Sequence, residues 1–320
     1  MLIRRVIALV FAGTLGCSAA QAADVYPSRP VKIVIGFAAG GAADVIARIA
    51  ANSLSKRLGQ PIIIENKPGS GGNIAAQTVV SADPDGYTLH FIAASDAINT
   101  SLYTKRNFDI RKDLAPVVGV VSLPVILFVN SQFPAKTYPE FVAYARANPG
   151  KVNLASPGTG TTAHMEIEVL NMLTGAGVQH VPYRSTGAVT DVISGQVQGM
   201  YAAIMTAIPQ IQSGAVRPLY VTSDTRNPYL PDVPSASELK DAPDLNSWFG
   251  LTAPQGTPAA IIDQLAEQMR LTLAEPEVAK RFAELGGAPL NLGPAQFGAF
   301  IAREIERYGK AVKASGASVD

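Results

Sequence analysis

The chain of 320 residues contains one cysteine, Cys17, and it lies inside an N-terminal stretch that reads as a secretory signal. Arg4 and Arg5 precede an apolar run over 6–15, and Ala20-Gln21-Ala22 is a small-residue cleavage site. Removal of 1–22 leaves a mature chain with no disulfide and no thiol chemistry. Long apolar runs are also missing. The signal's own run is too short to cross a bilayer as a helix, and every later one is interrupted by polar residues. A periplasmic protein without direct membrane insertion is expected. Leu15-Gly16-Cys17 resembles part of a lipid-attachment site. Thr14 stands where such sites usually carry leucine, and the cleavage site at 20–22 competes, so lipoprotein anchoring at Cys17 is not expected.

Charge is scarce and balanced. Only 16% of residues are charged, with 26 Lys and Arg against 25 Asp and Glu. Losing Arg4 and Arg5 takes the 26 to 24, a balance of −1. Without a basic cluster, nucleic acid is not expected as a partner. The three histidines, His90, His164 and His180, are not paired at metal-ligand spacing, so neither a metal nor a cofactor is expected. There is no Gly-x-Ser-x-Gly elbow and no Walker-type loop. Gly69-x-Gly71-x-x-Ile74 imitates a dinucleotide fingerprint but lacks the third glycine, and an exported protein meets little NAD. Not an enzyme is therefore the expectation; an exported hydrolase acting on a small organic acid or ester is the rival reading.

What is present is a strand, a loop of small residues and a helix. Val31 to Ile35 is mostly β-branched and apolar. Phe37-Ala38-Ala39-Gly40-Gly41-Ala42-Ala43-Asp44 follows, and then Ile46, Ala50, Leu54 and Leu58 recur every four residues along one helical face. Gly59 and Pro61 stop that helix. A loop without bulky side chains lets a ligand approach backbone N–H groups, and the helix N-terminus adds about half a positive charge. The unit suits an anion, most simply a carboxylate. A tight βα turn that needs glycine only for its backbone angles is the plainer alternative.

Further along, strands are expected over 62–65 and 87–94 with a helix over 74–82 between them. Ser95 and Asp96 then fall at a strand's carboxyl end, where open α/β sheets bind ligands. A long apolar run over 117–129, broken at Ser122 and Pro124, reads as a strand that leaves one domain and enters a second. That second unit repeats the first: a strand over 152–156, Pro157-Gly158-Thr159-Gly160-Thr161-Thr162, and a helix from about 163 to 175. A plain N-cap is the simpler role for Thr161 or Thr162. A helix is expected over 187–195, strands over 197–203 and 219–222, and Trp248 to Pro254 as a strand returning to the first domain. The C-terminal part reads as helices over 258–273, 276–285 and 294–314. The expected class is α/β, with mostly parallel, doubly wound sheets in two domains. Two similar anion-receptive loops suggest one ligand held between two lobes.

These pieces resemble the extracytoplasmic solute-binding receptors of the tripartite tricarboxylate transporters, the Bug family. The resemblance rests on Tyr26-Pro27-Ser28-Arg29-Pro30, the 37–44 loop, Leu58-Gly59-Gln60-Pro61, Glu65-Asn66-Lys67-Pro68-Gly69 and Pro84-Asp85-Gly86-Tyr87-Thr88. It continues through Gly158-Thr159-Gly160, His180-Val181-Pro182-Tyr183, Leu230-Pro231-Asp232-Val233-Pro234 and Trp248-Phe249-Gly250, in order over essentially the whole mature chain. It implies a two-lobed periplasmic-binding-protein fold, type II-like, with crossing strands joining two sheets. Lobe 1 is then 23–121 plus 251–320, and lobe 2 is 122–250. A carboxylate would be gripped by backbone groups of Phe37, Ala38, Ala39, Gly40, Gly41 and Ala42 on one side and Gly158, Thr159, Gly160, Thr161 and Thr162 on the other. The implied partners are a small organic carboxylate, mono- or dicarboxylate, and membrane transporter subunits; the receptor itself is expected as a monomer. Three positions depart from the family's usual pattern: Gly36 where proline is usual, Ser185-Thr186 after Arg184 where glycine is usual, and Glu238-Leu239-Lys240-Asp241. Gly36 is expected to loosen the first loop.

Side chains add further assignments. Asp44 would repel a carboxylate, and at a helix's first turn it suits capping and loop-fixing. Arg184 could pair with a second carboxylate or stay solvated. Ser185 and Thr186 fall where the far end of a ligand would lie. Ser95, His164 and Ala203 complete the candidate ligand-lining set. Phe37 and Tyr183 line the cleft or belong to the core.

Overall fold

The computed structural model describes residues 26–183 and 187–319. The signal segment 1–22 with Cys17, and the candidates Arg184, Ser185 and Thr186, lie outside the described residues. The first lobe starts with β1 (Val31–Ile35), α1 (Ala42–Leu58), β2 (Ile62–Asn66), α2 (Asn73–Val80), β3 (Thr88–Ala93), α3 (Ala94–Leu102), the short α4 (Ile110–Asp113) and β4 (Leu114–Leu123). The second holds β5 (Val125–Asn130), α5 (Tyr138–Ala147), β6 (Asn153–Ser156), α6 (Thr162–Thr174), β7 (Gln179–Pro182), α7 (Ala188–Ile193), β8 (Gly199–Ala203), α8 (Ile204–Gln212) and β9 (Val216–Val221). The chain returns to the first through β10 (Ser247–Pro254), α9 (Ala259–Leu273), α10 (Pro276–Glu284), β11 (Ala288–Leu292) and α11 (Pro294–Ser315).

The strands form two sheets. One has six strands in the order β11, β4, β10, β3, β1, β2; the other has five in the order β7, β6, β8, β5, β9. The expectation of mostly parallel sheets is corrected: both are mixed. β1 pairs in parallel with β2 and β3, whereas β10 runs antiparallel to β3 and β4. In the other sheet β6 is parallel to β7 and β8, and β5 is antiparallel to β8 and β9. The reason is the crossing. A parallel neighbour needs a crossover element on the same sheet. β4 instead runs through Pro124 straight into β5, and β10 comes back from the far lobe in the opposite sense.

Register fixes which strand ends meet. Ser247 lies opposite Leu123 and Phe249 opposite Ala93, so β3 and β4 end on the side of the first crossing. Val125 lies opposite Ala203, so β8 ends there too. Parallel pairing carries β1, β2, β6 and β7 with them. The carboxyl ends of all seven therefore face the junction between the sheets.

α1 shows how sequence sets an element. Its apolar face, Ile46, Ala47, Ala50 and Leu54, is buried, and Gly59 ends it in the left-handed region at φ 67°. Met165 and Val169 of α6 share a buried cluster with Ile98 and Leu102 of α3 and Ile301 and Ile305 of α11, which packs lobe 2 directly on lobe 1. The second crossing is tied in through Glu166, which is fully buried. Its carboxyl accepts the Leu245 N–H at 2.5 Å and the Tyr220 hydroxyl at 3.3 Å. Burial holds that carboxyl well above its ordinary pKa.

Four elements were absent from the sequence reading. α3 was hidden because its residues follow a strand without a helix-favouring break, α4 because it is a single turn, α8 because it carries an internal proline, Pro209, and β11 because it is short and half exposed. Ser95 accordingly sits in the first turn of α3 rather than on a bare strand end.

Where β10 crosses β4 at Gly250, a Cβ would come within 2.6 Å of the Val118 carbonyl oxygen and into the Phe297 ring. Gly250→Ala is expected to lower stability by about 1–3 kcal/mol through overpacking. Urea denaturation of the two proteins checks this.

Candidate functional site

The first loop leaves β1 at the junction. Ala39 and Gly40 are exposed, and Gly40 has φ 78°, the left-handed region. Gly41 donates to the Ala38 carbonyl at 3.2 Å and closes the turn. One turn into α1, Asp44 is 3% exposed. Its carboxylate accepts the Gly40 N–H at 2.9 Å, the Asn66 amide at 3.0 Å and the Arg48 Nε at 2.9 and 3.0 Å. Burial opposes ionisation, but the bonds from Arg48, Gly40 and Asn66 outweigh it and hold the carboxyl below its ordinary pKa. The charge of Asp44 is thus turned inward on the loop. The Gly40 and Gly41 amides are used internally, while Ala42 and Ala43 open the helix, where N–H groups have no acceptor in the preceding turn.

The second loop leaves β6. Gly158 and Gly160 have φ of 141° and 81°. Thr161 is the N-cap of α6: its hydroxyl accepts the His164 N–H at 3.2 Å and donates to the Gly158 carbonyl at 2.7 Å. His164 Nδ1 accepts the Gly160 N–H at 3.3 Å, and its Nε2 lies 3.5 Å from Glu168. The ring stacks on His180 with centroids 4.2 Å apart. His180 Nε2 lies 2.6 Å from the Ser156 hydroxyl, which also accepts the Gly158 N–H at 3.1 Å. Burial, then the neighbouring His164, push the His180 pKa down to about 4, so the ring is neutral at neutral pH. Two stacked rings therefore hold this loop by its backbone.

A third segment joins the two loops. The turn Ser70–Gly72 carries Gly71 at φ 64° and Gly72 at φ 103°. A Cβ on Gly36 would sit 2.5 Å from the Gly72 Cα, and one on Gly71 would sit 2.9 Å from the Thr159 carbonyl oxygen of the other lobe. Asn99 of α3 donates to the Gly71 carbonyl at 3.0 Å and stands where a Gly160 Cβ would project. Gly36 thus seats the first loop on this turn by close packing, which corrects the expectation that it loosens the loop. Ser95 is buried beside Gly72, its hydroxyl without a hydrogen-bond partner among the described residues. Ala203 ends β8 and precedes α8 on the junction side. Phe37 and Tyr183 are half buried against the core, and the Tyr183 hydroxyl donates to Asp191 at 2.6 Å.

Sequence reasoning missed Gly71, Gly72 and Asn99. Three glycines within four residues at 69–72 were a readable sign of close backbone approach, but not of what approached. Among the described residues no group of three or more His, Asp or Glu could hold a metal ion.

A family model described as "Tripartite tricarboxylate transporter family receptor" matches residues 46–317. The chain is 33% identical to protein BugT of Bordetella pertussis over 97% of this chain and 96% of that one. Among solved structures, a periplasmic binding protein, BugD, aligns with a TM-score of 0.86 at 32% identity, over 92% of this chain and 99% of that one. MatC from Rhodopseudomonas palustris with bound malate aligns at 0.84 and 34%, over 90% and 100%. An R. palustris protein with adipate aligns at 0.87 and 29%, over 92% and 99%.

Two outcomes follow from the loop chemistry. Asp44→Asn removes charge-assisted bonds to Arg48 and Gly40 and is expected to cost about 1–3 kcal/mol in urea denaturation. The unfolded chain protonates His180 near its ordinary pKa of 6.5, and the folded protein only near 4. Its contribution is whole above pH 6.5 and is lost as pH falls from there to about 4. Denaturation at a series of pH values should show this slope, and His180→Gln should flatten it.

Proposed function

The chain belongs to the family of tripartite tricarboxylate transporter receptors, and we propose that it is a periplasmic receptor that captures a small carboxylate between its two lobes. Delivery to membrane transporter subunits follows from that membership. The observation that carries the reading is the Ser70–Gly72 turn, in contact with Gly36 of one glycine loop and Thr159 of the other. Through it, two helix N-termini from different lobes belong to one junction, and each is a favourable place for an anion. Malate in MatC and adipate in the R. palustris protein are dicarboxylates of the size such a cleft takes. The ligand set proposed is Phe37, Ala38, Ala39, Gly40, Gly41 and Ala42 against Gly158, Thr159, Gly160, Thr161 and Thr162. Ser95, His164 and Ala203 are proposed to complete it, with Asp44 fixing the first loop. Arg184, Ser185 and Thr186 follow β7 and are proposed for the ligand's far end.

Binding works by hinge closure. The lobes are joined by the Pro124 crossing and by the segment 222–246. A ligand that touches both loops stabilises the closed form by its extra contacts there. The receptor is proposed to act as a monomer, exported by its signal and free of lipid at Cys17. Among the described residues the hydrolase reading has a serine–histidine pair in Ser156 and His180, but that serine is 0% exposed and holds the loop backbone, which is a structural role.

Thermal unfolding against a panel of mono- and dicarboxylates tests the reading. At a hundredfold excess over Kd, the true ligand adds about 2.7 kcal/mol and raises Tm by several degrees. A panel without any shift rejects it. Gly41→Val fits its extended backbone, φ −75°, ψ 170°, and is expected to keep the fold. Its side chain enters the anion's place, and affinity should fall at least tenfold by calorimetry; unchanged affinity removes the first loop from the site.

A further inference from the structure

The second crossing enters β10 through three residues held in turn by opposite lobes. Arg307 of α11 donates to the Asp244 carbonyl at 3.0 Å. Glu166 of α6 accepts the Leu245 N–H. The Tyr308 hydroxyl of α11 donates to the Asn246 carbonyl at 2.6 Å. α11 belongs to the first lobe and α6 to the second. Any rotation of one lobe against the other therefore pulls on these bonds.

The Asn246 side chain ties in the other crossing ends. Its Oδ1 accepts the Thr222 hydroxyl at 2.8 Å, and the Thr222 oxygen accepts the Val125 N–H at 2.8 Å. Val125 follows Pro124 at the first crossing, and Thr222 is where the second crossing leaves β9. Thr222 is 0% exposed, so water does not compete for these bonds. Both crossings thus meet at Asn246.

The same chain of contacts reaches the second glycine loop. Tyr308 is fully buried, which raises its pKa well above the ordinary value, and the Thr162 side chain beside the hydroxyl opposes that rise. Thr162 is the first residue of α6 and belongs to the ligand set proposed above. A phenol donates one hydrogen bond and accepts others, so one hydroxyl serves both the loop and the crossing.

We propose that Tyr308 is a positioning residue for ligand capture: its hydroxyl couples the second loop at Thr162 to a pivot at Asn246, so that occupancy of the loop sets how the lobes are held. The proposal rests on the cleft being the ligand site. Weakening the relay leaves both loops in place but lowers the fraction of molecules in the binding arrangement, and apparent affinity falls with that fraction.

Amide NMR of the ligand-free mature protein tests the relay itself. Asn246 is half buried, and Asn246→Ala leaves the Val125 N–H bonded to Thr222. That substitution should shift the signals of Thr162 and Ala163. In a Tyr308→Phe background, which keeps the ring, it should no longer move them. Asn246→Asp keeps the acceptor for Thr222 and should leave them near their wild-type positions. Signals that stay put in Asn246→Ala, or move equally in both backgrounds, overturn the proposal. Calorimetry with malate and adipate reads the consequence. Kd should rise about fivefold in Tyr308→Phe and in Asn246→Ala, the worth of one net hydrogen bond, and recover in Asn246→Asp. Ser53→Ala, which removes a hydrogen bond to Glu275 elsewhere in the first lobe, should lower stability without changing Kd. Unchanged Kd in both relay variants also overturns the proposal. Failure of both acids to bind the wild-type protein counts against the cleft reading, while the NMR comparison still decides the relay.

Discussion

How near one backbone can come to another decides this structure. Gly36 lies against Gly72, and Gly71 against the Thr159 carbonyl, at separations no side chain would permit. Because those Cβ atoms are missing, a single short turn can touch the first loop on one side and the second lobe's loop on the other. A chain with alanine at these positions would have to push the turn outward, and the two helix N-termini would part company. Three of the glycines involved also sit in left-handed backbone, at φ 64°, 103° and 81° for Gly71, Gly72 and Gly160, so their freedom is needed twice over.

The site's electrostatics follow from how its own charged groups are disposed. An acid beside an anion site is a contradiction unless its charge is absorbed, and Asp44 is absorbed by Arg48, Asn66 and the Gly40 amide. The second loop uses hydroxyls and imidazole rings instead. His164 and His180, stacked and largely removed from water, give ring nitrogens to Gly160 and Ser156. Deeper in, burial raises the pKa of Glu166, which links α6 to the second crossing. Each lobe thus presents a helix N-terminus to the junction, while Asp44, His180 and Glu166 are engaged in internal bonds.

The same elements connect the second loop to the second crossing. α6 begins at the second loop, packs on α3 and α11 of the other lobe, and is tied through Glu166 to the segment 222–246. The loop and the crossing therefore meet on one helix.

Local signals in the sequence were sufficient for the parts. The strand–glycine loop–helix units at 31–58 and 153–174, the break at Pro124, the caps at Thr161 and Gly59, and the bonds of Asp44 to Gly40 and Arg48 all depend on neighbours close in the chain, which a linear reading can see. Membership of the receptor family was legible for the same reason, as short motifs in order. What the tertiary structure alone decided was partnership between distant segments: the antiparallel return of β10, the seat of Gly36 on Gly72, and Asn99 beneath Gly160. Such contacts join residues up to a hundred or more positions apart. They are set by strand register and by the geometry of two crossings, and no pattern of composition or periodicity encodes either one locally.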